Sequence, residues 1–352
     1  MLKCGLVGLP NVGKSTLFNV LTGMGVPAEN YPFCTIDPHT ALVAVPDERL
    51  EALAAIVHPK ETIPTLVEFV DIAGLVAGAS QGEGLGNQFL AAIREVDLVA
   101  QVVRCFGDSR IIHVAGKVDP VADLETIETE LLLADLQSAS RRLEKASRMA
   151  KSGKKEHLEE ARLLEEASAL LEAGKSLREF GFAGTPGFLT AKPMVVVANV
   201  GEEEKEGLSS LGAYCEKRGL PLAAISARLE KELLELAPEE RKAFLEEAGY
   251  EEGGLERLVR LAYGVLGRIS FFTAGPKEVR AWQVQKGATA PQAAGVIHTD
   301  FERGFIRAEV VSFEDFIACR GWEKARSAGK LRLEGKDYIM ADGDIVHFRF
   351  HV

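Results

Sequence analysis

GLPNVGKS, residues 8–15, matches the phosphate-loop pattern G-x-x-x-x-G-K-[ST]. A strand-like apolar run precedes the stretch and a run with helical apolar spacing follows it, which is the context in which such a loop binds phosphate. The glycines let backbone N–H groups point inward, and the positive end of the helix adds to the attraction for phosphate. Lys14 can reach the β- and γ-phosphates, and the Ser15 hydroxyl can bind Mg²⁺. The stretch therefore predicts a nucleoside triphosphate site directly after the first strand.

The runs on either side of this loop predict an open α/β sheet. Several of them, such as Met194–Ala198, are continuously apolar, as expected of strands that are buried on both faces of a mostly parallel sheet. Helical stretches alternate with these runs. The expected fold class is an α/β P-loop NTPase with a mixed, G-domain-like sheet. The candidate strands are Lys3–Gly8, Ala41–Pro46, Leu66–Ile72, Asp97–Cys105, Pro193–Asn199 and Leu220–Ser226.

Two further segments differ in character from this sheet. Residues 123–190 carry leucines at helical spacing on both sides of Ser152-Gly153, so we expect two long helices that form an inserted coiled-coil hairpin. Residues 269–352 hold short β-like runs separated by turns, which predicts a separate α+β module. The nucleotide-binding domain is then expected in two parts, residues 1–122 and 191–268.

The composition is that of a globular chain, with 352 residues, 47% hydrophobic, 26% charged and a net charge of −11. These values exclude wholesale disorder, and the acidic balance argues against a DNA-coated protein. No apolar run reaches the length of a membrane span, and no signal peptide is expected. The five cysteines are widely spaced without a Cys-x-x-Cys pair, which favours a reducing cytoplasm over a disulfide framework or a zinc site.

A second phosphate-sensing element follows a later strand. Asp71-Ile72-Ala73-Gly74 has the D-x-x-G pattern that is typical of the second switch of GTPase-type proteins. Asp71 would hold the Mg²⁺ shell through water, and the Gly74 N–H would sense the γ-phosphate. Thr35, between the first helix and the next strand, is the expected Mg²⁺ and γ-phosphate ligand of the first switch. The alternatives are a turn-forming aspartate and an ordinary loop threonine.

The expected base site departs from the guanine-selective pattern N-K-x-D. Here the run is Asn199-Val200-Gly201-Glu202, so the stacking lysine is missing and the acid is one methylene longer. Asn199 can still exchange hydrogen bonds with a purine edge. The departure predicts relaxed selectivity or a switch toward ATP. Ser226-Ala227 resembles the S-A element that backs the base with main-chain N–H groups. A turn asparagine and a solvated surface glutamate are the alternatives for Asn199 and Glu202.

Together with GLPNVGKSTLFN, three segments resemble the Obg-like ATPase family, the YchF group: PFCTIDP, VDIAGLVAGASQGEGLGNQFL and the N-x-x-E element. The resemblance extends over essentially the whole chain, including the helical insertion and a C-terminal TGS-type module, a small ubiquitin-like α+β domain. It implies ATP binding in preference to GTP, slow hydrolysis, a need for Mg²⁺ and association with ribosomes. It also implies a functional histidine in the loop that contains His113.

The sequence also bears on the rate of hydrolysis. Leu75 stands where many GTPases carry the glutamine that orients water, so hydrolysis is expected to be slow or to use another group. His113 is the candidate, because a neutral imidazole can position water or accept its proton; a histidine satisfied by backbone is the alternative. Asn11 is a candidate K⁺ ligand beside the β–γ bridge, or else only shapes the loop. Arg94 and Arg104 flank predicted elements and are expected at the surface.

Two basic stretches are candidates for contact with ribosomal RNA. Arg141–Lys155 has seven basic residues and one acid near the expected hairpin tip, and Arg320–Arg332 has five basic residues and one acid around Trp322. Binding by such stretches should weaken with salt, whereas a solvated helix face is the plain alternative for the first. The expected partners are ATP or ADP and the ribosome, with no DNA and no membrane, and the chain is expected to be a monomer.

The leading hypothesis is a Mg²⁺-dependent, slowly hydrolysing ATPase switch that associates with ribosomes. The alternatives are a GTP-hydrolysing translation factor, an ATP-binding scaffold with vestigial hydrolysis, and a P-loop nucleoside kinase, for which no lid with paired arginines is visible. The catalytic candidates are His113, Lys14 and Gly74, and the metal candidates are Ser15, Thr35 and Asp71 for Mg²⁺ and Asn11 for K⁺. The nucleotide-binding candidates are Asn11, Val12, Gly13, Lys14, Ser15, Thr16, Thr35, Asn199, Val200, Glu202, Ser226 and Ala227.

Overall fold

The computed structural model describes residues 2–25, 39–73, 85–108, 116–201, 207–250 and 252–351. The chain divides into two compact units. Unit 1 comprises Met1–Val43 and Glu68–Ala262, and unit 2 comprises Ala44–Val67 and Tyr263–Val352. Within the ranges given above, no helix is both long enough and apolar enough to cross a membrane.

The elements are numbered here in chain order. The strands are β1 Leu2–Gly8, β2 Thr40–Ala44, β3 Glu61–Ile63, β4 Leu66–Asp71, β5 Leu98–Cys105, β6 Met194–Val200, β7 Leu222–Ile225, β8 Arg268–Ala274, β9 Glu278–Gln285, β10 Phe305–Val311, β11 Arg332–Glu334 and β12 Ile345–Phe350. The helices are α1 Lys14–Met24, α2 Glu48–Val57, α3 Leu85–Glu95, α4 Pro120–Ala150, α5 Lys155–Glu172, α6 Leu208–Arg218, α7 Ala227–Leu234, α8 Pro238–Glu247, α9 Gly254–Val265, α10 Ala290–Ile297, α11 Thr299–Arg303, α12 Phe313–Cys319 and α13 Trp322–Ser327.

The sheet of unit 1 has the strand order β2-β4-β1-β5-β6-β7. β5 runs parallel to β1 and β6, and β7 runs parallel to β6. Every residue of β5 is buried, as the continuous apolar run predicts for a strand covered on both faces. The six strands coincide with the six candidate runs, so the predicted α/β sheet is confirmed. Because these strands are parallel, the carboxyl ends of β1, β5, β6 and β7 lie at one edge of the sheet.

The helical insertion, residues 120–192 between β5 and β6, contains the two long helices that the leucine spacing predicts. α4 begins with Pro120 in its first turn, and the Asp119 side chain accepts a hydrogen bond from Ala122 N at 3.2 Å. Gly153 has a φ of 73° in the turn between α4 and α5. Apolar residues along the seam form a separate core cluster, with Ala139, Ala146, Ala161, Leu164, Ala167 and Leu171 among its members.

A buried carboxylate holds the base of the helical insertion. Asp135 of α4 is 1% exposed and accepts hydrogen bonds from Leu189 N at 2.8 Å and from Thr190 N and Thr190 Oγ1, both at 2.7 Å. Burial raises the pKa of Asp135, and these hydrogen bonds oppose the rise. The carboxylate therefore ties the first helix of the insertion to the chain segment that returns to β6.

A buried ion-pair network lies on the same helix. Glu128 of α4 accepts a hydrogen bond from Arg178 Nη1 at 2.6 Å and is also paired with Arg218 of α6. Arg218 in turn pairs with Glu179. Burial lowers the pKa of Arg178, and Glu128 opposes this shift. The network connects the insertion to the α6 side of the nucleotide sheet.

The sheet of unit 2 has the order β11-β10-β12-β8-β9-β3. One face packs against α10 in a cluster that includes Phe271, Val310 and Phe348. The other face packs against α2, α12 and α13 around Phe272, Ile345 and Phe316. Together these strands and helices form an α+β module, as the sequence of residues 269–352 predicts.

Unit 2 also takes in a segment from the first part of the chain, which we call the α2–β3 segment, residues 44–67. β3 pairs in parallel with β9, from Glu61 opposite Glu278 to Ile63 opposite Arg280. Arg49 of α2 pairs with Asp47 and with Asp342, at 2.8 Å each. The sequence-based division placed residues 44–67 in the nucleotide-binding domain. The structure groups them with unit 2, because their apolar side chains complete its core.

Candidate nucleotide-binding site

The phosphate loop joins β1 to α1. Asn11 and Gly13 have φ values of 67° and 93°, which turn the backbone sharply before the helix. Gly13 is required at its position, since a Cβ there would lie 2.1 Å from Asn199 Nδ2. Leu17 N donates to Gly13 O at 3.0 Å, so the helix begins as the loop ends. A helix that starts here offers the N–H groups of its first turn to an anion.

Lys14 and Asp71 form an ion pair beside this loop. Lys14 opens α1 and Asp71 ends β4, and their side chains are only 10% and 18% exposed. The sequence predicts the lysine as a phosphate ligand and the aspartate as the acid of the Mg²⁺ shell. The fold therefore brings these two predicted residues together. The side chains of Asn11, Ser15 and Thr16 are exposed at the same end of α1.

Asn199, at the end of β6, bridges two parts of the site. It is 5% exposed, its Nδ2 donates to Val12 O at 2.9 Å, and its Oδ1 accepts from Ala227 N at 3.1 Å. From the sequence, this amide is expected to exchange hydrogen bonds with the purine edge. In the structure, one N–H and the oxygen of the amide instead connect the phosphate loop to the start of α7. These two bonds use half of the four hydrogen bonds that the amide can make.

Ser226 and Ala227 also have defined structural roles. The Ser226 Oγ accepts from Leu229 N at 3.3 Å and caps α7. The Ala227 N–H, which the sequence interpretation directed toward the base, is bonded to Asn199. Val200 follows Asn199 and is half-buried. The start of α7 is therefore held rigidly against the phosphate loop.

Four of the predicted site residues lie outside the described residues: Thr35, Gly74, His113 and Glu202. Their roles as switch threonine, γ-phosphate sensor, catalytic histidine and base-site acid stay predictions. The described part of the site thus consists of the phosphate loop, the Lys14–Asp71 pair and the Asn199 bridge.

Arg104 is buried, and the prediction that it lies at the surface was wrong. It is 2% exposed, near the end of β5, and its guanidinium lies 4.5 Å from the centre of the Phe106 ring. The run Leu98–Cys105 contained the signal, because a strand buried on both faces also buries the polar residues within it. Arg94 is exposed, as predicted.

The basic stretch Arg141–Lys155 covers the end of α4 and the turn to α5. Arg148 pairs with Glu144, and Arg142 lies over the Phe188 ring. Three exposed lysines of the stretch make no ion pair with any residue in the described ranges: Lys145, Lys151 and Lys154. These lysines are therefore available to a phosphate backbone.

The second basic stretch, Arg320–Arg332, is more strongly neutralised. Trp322 packs in a core cluster and donates from Nε1 to Ala274 O at 2.9 Å. It therefore does not stand free in solvent for stacking on a base. Three of the cations are paired: Arg326 with Glu309 at 3.3 Å, Lys330 with Asp315 at 3.1 Å and Arg332 with Asp344 at 3.3 Å.

Three of the four described cysteines have buried thiols. Cys4, Cys105, Cys215 and Cys319 are free, and the first three are buried. Burial raises the pKa of Cys105 to about 12 and that of Cys215 to about 11. These thiols are protonated at neutral pH and supply no nucleophile.

Comparison with known proteins identifies the family. A model named YchF-GTPase_C, described as "Protein of unknown function (DUF933)", matches residues 268–351, and one described as "50S ribosome-binding GTPase" matches residues 3–140. The protein named "Ribosome-binding ATPase YchF" of Haemophilus ducreyi is 53% identical over 360 residues, which cover 99% of each chain. The chain belongs to the YchF family.

Other YchF proteins extend this result. The YchF protein of Bacillus subtilis, which carries the same name, is 48% identical over 364 residues and 100% of both chains. The solved structure described as "Structure of the Schizosaccharomyces pombe YchF GTPase" superposes with a TM-score of 0.89 at 38% identity, covering 99% of this chain and 97% of that one. The predicted family and P-loop fold class are confirmed. The two bacterial relatives are named ATPases, whereas the fungal structure is described as that of a GTPase.

Proposed function

We propose that this chain binds ATP with Mg²⁺ and hydrolyses it slowly, as a cytoplasmic, monomeric switch that associates with ribosomes. The observation that carries the proposal is the Lys14–Asp71 pair, which brings the phosphate-binding lysine to the acid of the metal shell. The names of the bacterial relatives, which combine ATPase activity with ribosome binding, support it.

The residues at the loop fit a Mg²⁺ ion. Hydroxyl and carboxylate oxygens are the ligands that this ion prefers, and both lie beside the phosphate loop. Ser15 would bind the ion directly, Asp71 would bind it through water, and Thr35 would supply the second hydroxyl. Lys14 would then pair with the β- and γ-phosphates in place of Asp71. When bound, the ion neutralises charge between the two phosphates.

Hydrolysis needs a water molecule that is oriented in line with the γ-phosphate. We assign this role to His113, because the side chain of Leu75 has no hydrogen-bonding group. We assign the sensing of the γ-phosphate to the Gly74 N–H. Asn11 is assigned as a ligand of K⁺, which would add positive charge beside the β–γ bridge. Rates measured in matched K⁺ and Na⁺ buffers test this last assignment, and equal rates would remove it.

Nucleotide choice is tested by competition. A fluorescent ATP analogue is displaced by ATP or by GTP with Mg²⁺ present, and Lys14→Ala serves as the control without phosphate binding. We expect ATP to compete at least about tenfold better, which corresponds to roughly 1.4 kcal/mol. GTP is the second candidate because the fungal relative is named a GTPase. A preference for GTP would replace the ATP assignment.

Turnover separates a switch from a scaffold. Phosphate release is measured with the wild-type chain and with Lys14→Ala as the blank. We expect a slow rate that depends on Lys14, because removal of this side chain removes charge from the triphosphate site. A wild-type rate equal to that of the blank would leave ATP as a structural ligand only.

The ribosomal contact is assigned to RNA phosphates at the tip of the helical insertion. Lys145, Lys151 and Lys154 are changed together to Ser, and the change of Lys324, Lys330 and Arg332 to Ser is the matched control in the second stretch. Co-sedimentation with ribosomes is measured at several salt concentrations. We expect the first variant to bind ribosomes more weakly. The slope of log binding constant against log salt concentration should also become flatter, by roughly 0.7 for each RNA phosphate that is no longer neutralised. A larger effect of the control variant would move the binding surface to unit 2.

A further inference from the structure

Lys192 is the last residue of the helical insertion, and its side chain binds the end of α3. Its Nζ donates to Arg94 O at 3.1 Å and to Val96 O at 2.5 Å. α3 ends at Glu95, so these carbonyls lie where a helix leaves its acceptors unpaired and favours a cation. The ammonium is half-buried; burial lowers its pKa, and Asp97 opposes the shift. Lys192 therefore fastens the end of α3 to the returning chain of the insertion.

The main chain of Lys192 is in turn connected to α4. Arg178 Nε donates to Lys192 O at 2.9 Å, and Arg178 Nη1 donates to Glu128 of α4 at 2.6 Å. The Arg178 and Glu128 side chains are only 6% and 12% exposed. Bonds between charged groups at this depth are costly to break, because the partners cannot turn to water instead. A displacement of Lys192 is therefore passed on to the first helix of the insertion.

On its other side, Val96 lies close to the phosphate end of the nucleotide site. Val96 and Ile72 are each 2% exposed and pack together over Gly5 of β1. A Cβ at Gly5 would lie 2.6 Å from Ile72 Cδ1 and 3.0 Å from Val96 Cγ2, so the packing leaves no free space. Ile72 directly follows Asp71, the partner of Lys14. Because closely packed side chains transmit strain, a shift at Asp71 reaches Val96.

We propose that Lys192 couples the nucleotide site to the helical insertion, because it joins Val96, which packs beside Ile72, to the chain that Arg178 bonds to α4. This inference rests on the proposed function, in which Asp71 exchanges Lys14 for the Mg²⁺ shell when ATP binds. That exchange gives the end of β4 two arrangements, and each favours a different placement of Ile72. In this role Lys192 bonds only other parts of the protein.

The first experiment measures hydrogen exchange of residues 176–192 with and without Mg²⁺ and a non-hydrolysable ATP analogue. We expect the analogue to change exchange by about fivefold or more in the wild-type chain, the lower end of typical coupling between sites. In Lys192→Met the change should be less than about twofold, with the affinity for the analogue altered less than about threefold.

Two outcomes of this experiment would overturn the proposal. One is an absence of change in the wild-type chain when the analogue is bound. The other is an equal change in the wild-type chain and in Lys192→Met. The second outcome would show that the analogue acts only by stabilising the folded chain as a whole, which does not need Lys192.

Lys3→Met is the matched control for the removal of a lysine. Lys3 lies in β1, its side chain is 45% exposed, and it pairs with Glu68 at 3.3 Å. It takes no part in the contacts from Ile72 to Arg178, so this variant should keep the full response to the analogue. Loss of the response in Lys3→Met would overturn the proposal by showing a general effect of lysine removal near this sheet.

Val96→Ala breaks the same path at a second point. It removes the packing beside Ile72 but leaves the main-chain carbonyl that Lys192 binds. We expect the response of residues 176–192 to fall as in Lys192→Met, and a full response would overturn the proposal. If Lys192→Met does not fold, Val96→Ala gives the answer.

The coupling should also make ribosome binding depend on the nucleotide, since the insertion carries the lysines assigned to ribosomal RNA. Co-sedimentation with and without the analogue should give affinities that differ about fivefold or more for the wild-type chain, and by a ratio near one for Lys192→Met. The same ratio for both chains would overturn the proposal. Failure of the proposed function has a different signature, since the analogue would then bind the wild-type chain no better than Lys14→Ala.

Discussion

Two segments leave the nucleotide sheet of unit 1 and return to it. The helical insertion leaves after β5 and returns at β6, and the α2–β3 segment leaves after β2 and returns at β4. The insertion packs its two helices against each other around their own apolar cluster. The α2–β3 segment instead places Leu50 and Leu53 in the core of unit 2 and adds β3 to the edge of that sheet.

The difference follows from the length of the elements. α4 and α5 have 31 and 18 residues, so their facing stripes can bury a continuous seam. α2 has ten residues and β3 has three, and elements of this size are unstable alone in water. An insertion thus stays with its parent sheet when it completes its own core, and it joins another unit when it cannot.

The largest expected effect concerns the base of the helical insertion. Glu128→Ala removes the carboxylate that faces Arg178, whose side chain is 6% exposed. An unpaired buried charge of this kind costs about 3–5 kcal/mol. Urea unfolding of the variant should show this loss, and Glu128→Leu combined with Arg178→Met should recover much of it. A loss below about 1 kcal/mol would mean that the pair does not hold the insertion.

Asp135→Ala should have the next largest effect. It leaves Leu189 N, Thr190 N and Thr190 Oγ1 without their acceptor in a buried site, at a cost of about 2–3 kcal/mol. Thr190→Val removes one of the three bonds and should cost about 1 kcal/mol. The free energies of unfolding of both variants are measured against the wild-type chain. If the helical seam alone fixes the insertion, both variants should be as stable as the wild type.

Arg49→Ala tests the attachment of the α2–β3 segment. The variant loses the pairs with Asp47 and Asp342, which are partly exposed, so we expect a cost of about 1 kcal/mol. Hydrogen exchange should become faster in β3 and in the β9 residues that pair with it. As a surface control, Arg148→Ala breaks only an exposed pair in the helical insertion and should cost less than about 0.5 kcal/mol. Unchanged exchange in β3 would show that apolar packing alone holds the segment.

The smallest expected effect is a dependence of the stability of unit 2 on pH. Burial and then the neighbouring Arg349 hold the pKa of His347 below its usual value, and Glu309 opposes them. The unfolded chain therefore binds a proton at His347 more readily than the folded chain, so stability is full above about pH 6.5 and falls as the pH drops. Unfolding of wild type and His347→Gln between about pH 7.5 and 5.5 measures this contribution. Parallel curves for the two proteins would rule it out.

Sequence reasoning was most reliable where one local pattern determines the structure. The GLPNVGKS loop, the apolar strands of unit 1 and the long amphipathic helices each contain their own signal within a few turns of chain. β3 contains no such signal, since Glu61–Ile63 is short and mostly exposed and pairs with a strand more than two hundred residues later. Arg104 was misjudged because it was treated as flanking a predicted element, whereas it lies within β5, in which every residue is buried.

The α2–β3 segment also has a consequence for how the chain is made. The segment is synthesised roughly 200 residues before the strands that it packs against, so the ribosome takes about 10–40 s to supply its partners. During that interval Leu50 and Leu53 have no core to enter, and a nascent chain in this condition is a substrate for chaperones. A C-terminal fragment that starts at residue 268 has the opposite defect, because it lacks its edge strand and one of its covering helices. Unit 2 therefore needs two parts of the chain that lie roughly 200 residues apart, and its core can close only after both have been made.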